Sequence, residues 1–122
     1  MKRLMMLASL ILPLSACAPR APRPPWAGFG GNPARGALVI VRGSCGDCHE
    51  IPGIQAAHGQ VGPPLTHFGR RTVVAGMLPN TPENLTLWIR HPQAVVPGNA
   101  MPEAGLTDQQ ARDAAAYLYS LR

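Results

Sequence analysis

A small all-α domain is the fold class this sequence predicts. Three observations lead there. Helix-start signals recur at three places, no stretch shows the two-residue alternation of a strand, and large apolar side chains are few. Asn32-Pro33 and Thr81-Pro82 each set a capping oxygen before a proline, whose missing N–H is not needed in a first turn. Thr107 and Gln110 have the spacing of a capping box. At 122 residues the chain has room for one domain.

The elements follow in order. Residues 1–16 have the layout of a secretory signal: Lys2 and Arg3, then an apolar run from Leu4 to Leu14, then Ser15 and Ala16. The run is too short to span a bilayer as a helix. "LSAC" at 14–17 resembles a bacterial lipobox. That resemblance implies cleavage before Cys17 and a lipid on its thiol, which would anchor the chain to a membrane at ~0.8 kcal/mol for each buried CH₂. Without Lys2 and Arg3, the 11 basic residues fall to nine against six acidic ones. A formal charge near +3 with no aromatic-rich basic stripe gives no reason to expect nucleic acid.

Residues 17–31, with the run "APRPPWAGFGG", read as a Pro/Gly-rich tether, in which Trp26 and Phe29 are incidental aromatics. At ~3.1 Å per residue it would hold the domain roughly 40 Å from the anchor. The folded domain is then expected over 32–122. Its first helix starts at Asn32-Pro33 and stops at Gly43, taken as a C′ glycine. The second starts at Thr81-Pro82, carries Leu85, Trp88 and Ile89 on one face, and ends at His91-Pro92. The third begins at Thr107 and buries Ala114, Tyr117, Leu118 and Leu121. Gly- and Pro-rich loops connect them. So thin a core in so small a domain calls for a staple, and neither a disulfide network nor a second pair of metal ligands is present. The deficit points to a large apolar cofactor.

"RGSCGDCHE", residues 42–50, indicates which. C-x-x-C-H is the attachment signature of c-type haem. Two thiols three residues apart add across the two vinyl groups, and the following histidine comes to lie under the iron. One covalent haem on Cys45 and Cys48, with His49 as proximal ligand, would also supply the missing core. A thioredoxin-like dithiol would need a βαβ setting, which is lacking. A structural zinc site would need two further ligands, and His58 and His67 are scattered in loops.

By "CGDCH", "GPPL" at 62–65, "PGNAMP" at 97–102 and the final "AAAYLYSLR", the chain resembles the class I c-type cytochromes. The run from Leu65 through "WIRHPQAVVPGNAMPEAGLTD" is similar to the cytochrome c domain fused to some bacterial cytochrome c oxidase subunits II. Those fused chains also carry a copper domain, for which this chain has neither room nor a cysteine pair. The likeness implies a fold of three to four helices around one haem. It implies that Pro63 gives its carbonyl to His49, that Met101 is the distal iron ligand, that Trp88 packs near it, and that Arg70 or Arg71 lies near a haem propionate. Gly36 and Tyr117 would meet where the first and last helices cross. Met77 lacks the loop that surrounds Met101. His91 stands where the pattern has an acidic residue, which bears on local pairing.

The resemblance implies function too. With both axial positions filled, no place is left for a substrate, so the chain would be an electron carrier rather than an enzyme. It would be lipid-anchored in a bacterial cell envelope, facing the periplasm or extracytoplasmic side, with respiratory redox proteins as partners and a terminal oxidase as the favoured acceptor. The alternative is the haem c subunit of a periplasmic or membrane dehydrogenase. A haem enzyme or gas sensor with a labile sixth ligand is a third reading.

Overall fold

A computed structural model describes residues 21–122. The expected signal segment and Cys17 lie outside the described residues. Among the described residues four helices carry the fold: α1 (Pro33–Arg42), α2 (Pro82–Arg90), α3 (Pro92–Val95) and α4 (Asp108–Ser120). A two-residue hairpin, β1 (Val73–Val74) with β2 (Leu78–Pro79), pairs antiparallel.

The helix starts form for the reasons the sequence offers. The Asn32 side chain accepts from the Arg35 N–H, and the Thr81 hydroxyl accepts from the Asn84 N–H. At α4 the capping box is complete: Thr107 Oγ1 accepts from Gln110 N at 3.2 Å, and Gln110 Oε1 accepts from Thr107 N at 2.8 Å. Each cap contributes ~1 kcal/mol. Helix α1 ends at Arg42 as expected, but Gly43 is not the left-handed residue; Ser44 is, at φ 52°. Gly43 serves close packing instead, because a Cβ there would meet Val39 O at 3.1 Å.

The architecture turns on the crossing of α1 and α4, the largest contact between elements. A Cβ on Gly36 would fall on the Asp113 carbonyl and reach Tyr117 Cβ at 3.0 Å, so only glycine lets the backbones meet here. On α4 small side chains keep the approach close: Ala111, Ala114, Ala115 and Ala116 are buried with Leu118. Burial therefore extends round more of α4 than the expected stripe, since α1, α2 and the N-terminal turn all pack on it.

Asp113 clamps the crossing. Its Oδ1 accepts from Asn32 N at 2.7 Å, Arg35 Nη2 at 2.9 Å and Gln109 Nε2 at 3.1 Å; its Oδ2 accepts from Arg35 Nε at 2.8 Å. The carboxylate is 5 % exposed. The Arg35 guanidinium first, then Asn32 N–H and the Gln109 amide, hold the carboxyl below its ordinary range, against burial, which acts the other way.

Two expectations need correction. Residues 25–31 are not a free tether. Pro25–Phe29 forms a 3₁₀ turn, and Phe29 is 1 % exposed, its ring 4.8 Å from that of Tyr119. Burying a phenylalanine contributes ~1.5–3 kcal/mol, enough to hold the segment on α4. The hairpin was also not expected. Its strands are too short for alternation to register, and its turn runs through Ala75 and Gly76, both at positive φ.

Asp113 gives the fold an acid limit. Its folded pKa lies below the unfolded value of ~3.9, so its contribution is complete above that value and lost as pH falls through the folded pKa. In Asp113→Asn an amide NH₂ must face a donor whichever way it turns. Unfolding of the haem-loaded chain is expected to show a loss of ~1–3 kcal/mol at pH 7 and a flatter acid limb than wild type.

Candidate functional site

The helices line an apolar cleft that is partly open to solvent. Ile40 of α1, Leu85 and Ile89 of α2, and Ala114 and Leu118 of α4 form its floor, with Leu65 and Phe68 from the loops. Cys45, His49, Trp88 and Met101 line the same cleft.

The cysteine segment begins directly after α1. Cys45–Asp47 makes one 3₁₀ turn, and His49 N–H donates to Cys45 O at 3.0 Å, closing a further turn. Cys45 and Cys48 are not joined in a disulfide. Burial pushes the Cys45 thiol up, so its neutral form is favoured. The segment is braced by the chain that returns beside it: Gly59 N–H donates to Gly46 O, Gly62 N–H to Cys48 O, and Leu65 N–H to Glu50 O.

His49 Nδ1 lies 2.8 Å from Pro63 O. A carbonyl only accepts, so Nδ1 carries the proton and Nε2 keeps a free lone pair for a metal. Gly62 makes room for the ring, since a Cβ there would come within 2.6 Å of His49 Nδ1.

Met101 is half-buried in the cleft lining, whereas Met77 is 60 % exposed on the hairpin. Two residues that sequence reasoning missed hold the Met101 backbone. Asn99 Oδ1 accepts from Met101 N at 2.7 Å, and Gln93 Nε2 donates to Met101 O at 3.0 Å. Nothing in the sequence marks a glutamine eight residues ahead of a methionine as its anchor.

The remaining expected residues separate. Arg71 stacks over Phe68, 4.9 Å from the ring centroid, and donates to Pro64 O and, at 3.5 Å, to Thr66 O. Arg70 is exposed, and neither arginine is part of the cleft lining. His58, His67 and His91 are exposed too. His91 Nδ1 lies 3.4 Å from Glu103 Oε2, so the histidine that breaks the expected pattern has an acidic partner beyond Met101. Among the described residues no three His, Cys, Asp or Glu side chains gather so as to hold a metal ion, and the zinc reading finds no ligand set there. No helix of the described residues is long and apolar enough to cross a membrane.

A family model for cytochrome c matches residues 33–122. Cytochrome c oxidase subunit 2 of Alkalihalophilus pseudofirmus is 40 % identical over 89 residues, covering 72 % of this chain and 25 % of that protein. Its counterpart in Bacillus sp. (strain PS3) is 37 % identical over 95 residues, covering 73 % and 26 %. That of Bacillus subtilis is 33 % identical over 69 residues, covering 55 % and 19 %. The chain thus spans about a quarter of the length of the first two relatives. No solved structure matches.

The contact between Gly62 and the imidazole can be probed directly. Gly62→Ala is expected to turn the ring off Pro63, at a cost of ~1–3 kcal/mol. Faster exchange of the His49 Nδ1 proton, read by nitrogen-15 NMR, would report the broken bond; exchange as slow as in wild type would refute it.

Proposed function

The chain belongs to the cytochrome c family, and on that premise we propose that it is a membrane-anchored c-type cytochrome carrying single electrons in a respiratory chain, with a terminal oxidase as acceptor. One observation carries the reading: His49 and Met101 line the same apolar cleft, the first with Nε2 free, the second held at both backbone atoms. An imidazole and a thioether are the His/Met set of electron-transfer cytochromes.

The residues present fit one haem c. Bound in this cleft, its iron supplies a reversible one-electron couple. The chain does the rest. Cys45 and Cys48 hold the group through thioether bonds, so it cannot be lost outside the cell. Pro63 fixes the His49 tautomer and raises the basicity of Nε2. Ile40, Leu65, Phe68, Leu85 and Leu118 keep water from the metal, and burial together with the methionine sulfur favours a high potential. Trp88 packs in the same lining, and Arg71, seated on Phe68, is the better placed of the two arginines for a propionate. His49 and Met101 would be the two side chains holding the iron, a set that suits electron transfer rather than substrate binding. The chain acts as a carrier, or as the electron-transfer part of a larger oxidoreductase complex.

The anchor belongs to the same proposal. Residues 1–16 read as a lipoprotein signal and Cys17 as the lipidated residue, which would tie the domain to the extracytoplasmic face of a bacterial membrane. Tethering raises the effective concentration of a docking partner in that membrane. The relatives bear the name of oxidase subunits, which supports an oxidase as that partner.

Reduced, haem-loaded protein mixed with membranes of the parent organism is expected to be oxidised rapidly, and cyanide should stop the reaction. Absence of cyanide-sensitive oxidation would remove the oxidase as acceptor.

A further inference from the structure

The thioether is the weaker of the two side chains at the cleft. It is neutral and a poor donor, so it cannot win a metal position by intrinsic affinity alone. Its hold depends on how firmly the chain presents it. The presenting segment, 96–107, has no helix or strand and contains Pro97, Gly98, Pro102 and Gly105. Such a sequence, unaided, samples many conformations.

Two amide side chains remove that freedom. Gln93, on α3, donates from Nε2 to Asn99 O at 2.9 Å as well as to Met101 O, and its Oε1 accepts from Gly98 N at 3.0 Å. Asn99 accepts the Met101 N–H and donates from Nδ2 to Pro92 O at 2.9 Å and Val96 O at 2.6 Å. Every polar atom of both side chains is spent on this loop or on α3, and both residues are half-buried. Met101 is pinned by its N–H and its C=O at once, to groups rooted in α3.

We propose that Gln93 and Asn99 are positioning residues that set how strongly Met101 holds the sixth position of the iron. This rests on the ligand reading above. Both side chains are neutral and do not titrate, while the Gln93 backbone N–H donates to Glu103 Oε1 at 3.4 Å.

The test uses full-length, haem-loaded protein and imidazole as competing ligand. Gln93→Met keeps the length and volume of the side chain without its hydrogen bonds. Gln93→Glu keeps the acceptor for Gly98 but turns an anionic oxygen on two carbonyls. Gln93→Met loses three hydrogen bonds and Gln93→Glu the two donated by Nε2; the expected result in each is a drop of roughly tenfold or more in the imidazole concentration that half-displaces Met101. The weak far-red sulfur-to-iron band should fade at correspondingly lower imidazole, while the haem stays covalently bound. An imidazole midpoint unchanged in both variants, even with lowered thermal stability, would overturn the proposal. Met101→Ala separates the two levels. If it matches wild type in spectrum and midpoint, Met101 is not the ligand, and both readings fall. If it loses the band while the Gln93 variants behave as wild type, only the positioning role falls.

Discussion

Gly36 on α1 meets the Asp113 backbone on α4 with no side chain between them, and the geometry of the whole domain follows from that approach. With the helices this close, Ile40 on α1 and Ala114 and Leu118 on α4 form one continuous apolar floor. Because α1 ends at Arg42, the chain leaves the crossing at the edge of that floor, and Cys45 and His49 come to lie in its wall. Helix α2 packs on the other flank of α4 and contributes Leu85, Trp88 and Ile89. The Asp113 cluster, wrapped round the start of α1, stops the crossing from sliding. A domain with few large apolar residues has in this way placed many of them around a cleft rather than in a closed core, an arrangement that a bound apolar group completes.

The two walls of the cleft are held by different means with one feature in common. On one side a carbonyl of the 62–65 loop takes the His49 N–H, and that loop is stitched to the cysteine segment by backbone bonds. On the other, two side-chain amides hold the Met101 backbone. Neutral dipoles do the orienting in both places. Outside the cleft lining, Arg90 and Arg112 pair with Asp108, and His91 lies beside Glu103. A group that titrates beside a metal whose own charge changes by one would make its potential depend on pH; neutral amide dipoles orient side chains without that coupling.

The parts of this design that were legible in the sequence are the local ones. Asn32, Thr81 and the Thr107–Gln110 pair announce helix starts because capping is settled within four residues. C-x-x-C-H is legible because its chemistry requires that spacing. Features that depend on distant partners were hidden. Phe29 sits among prolines and glycines and reads as linker; distant partners, among them the Tyr119 ring ninety residues on, make it core. Helix α3 is four residues long, below any periodic signal. Gln93 and Asn99 carry no mark in sequence because their role is read from where two amides point. Arg71, rather than Arg70, stacks on Phe68 because of a 3₁₀ turn over Phe68–Arg70 that propensity does not foretell.

The central claim is that this cleft holds a haem iron between His49 and Met101. X-ray absorption at the iron edge of the purified, oxidised, haem-loaded protein tests it most directly. The account requires one sulfur scatterer at bonding distance along with the nitrogens of the porphyrin and of one imidazole, and the loss of that sulfur in Met101→Ala. A wild-type spectrum with nitrogen or oxygen in both axial positions, and no sulfur, would contradict it.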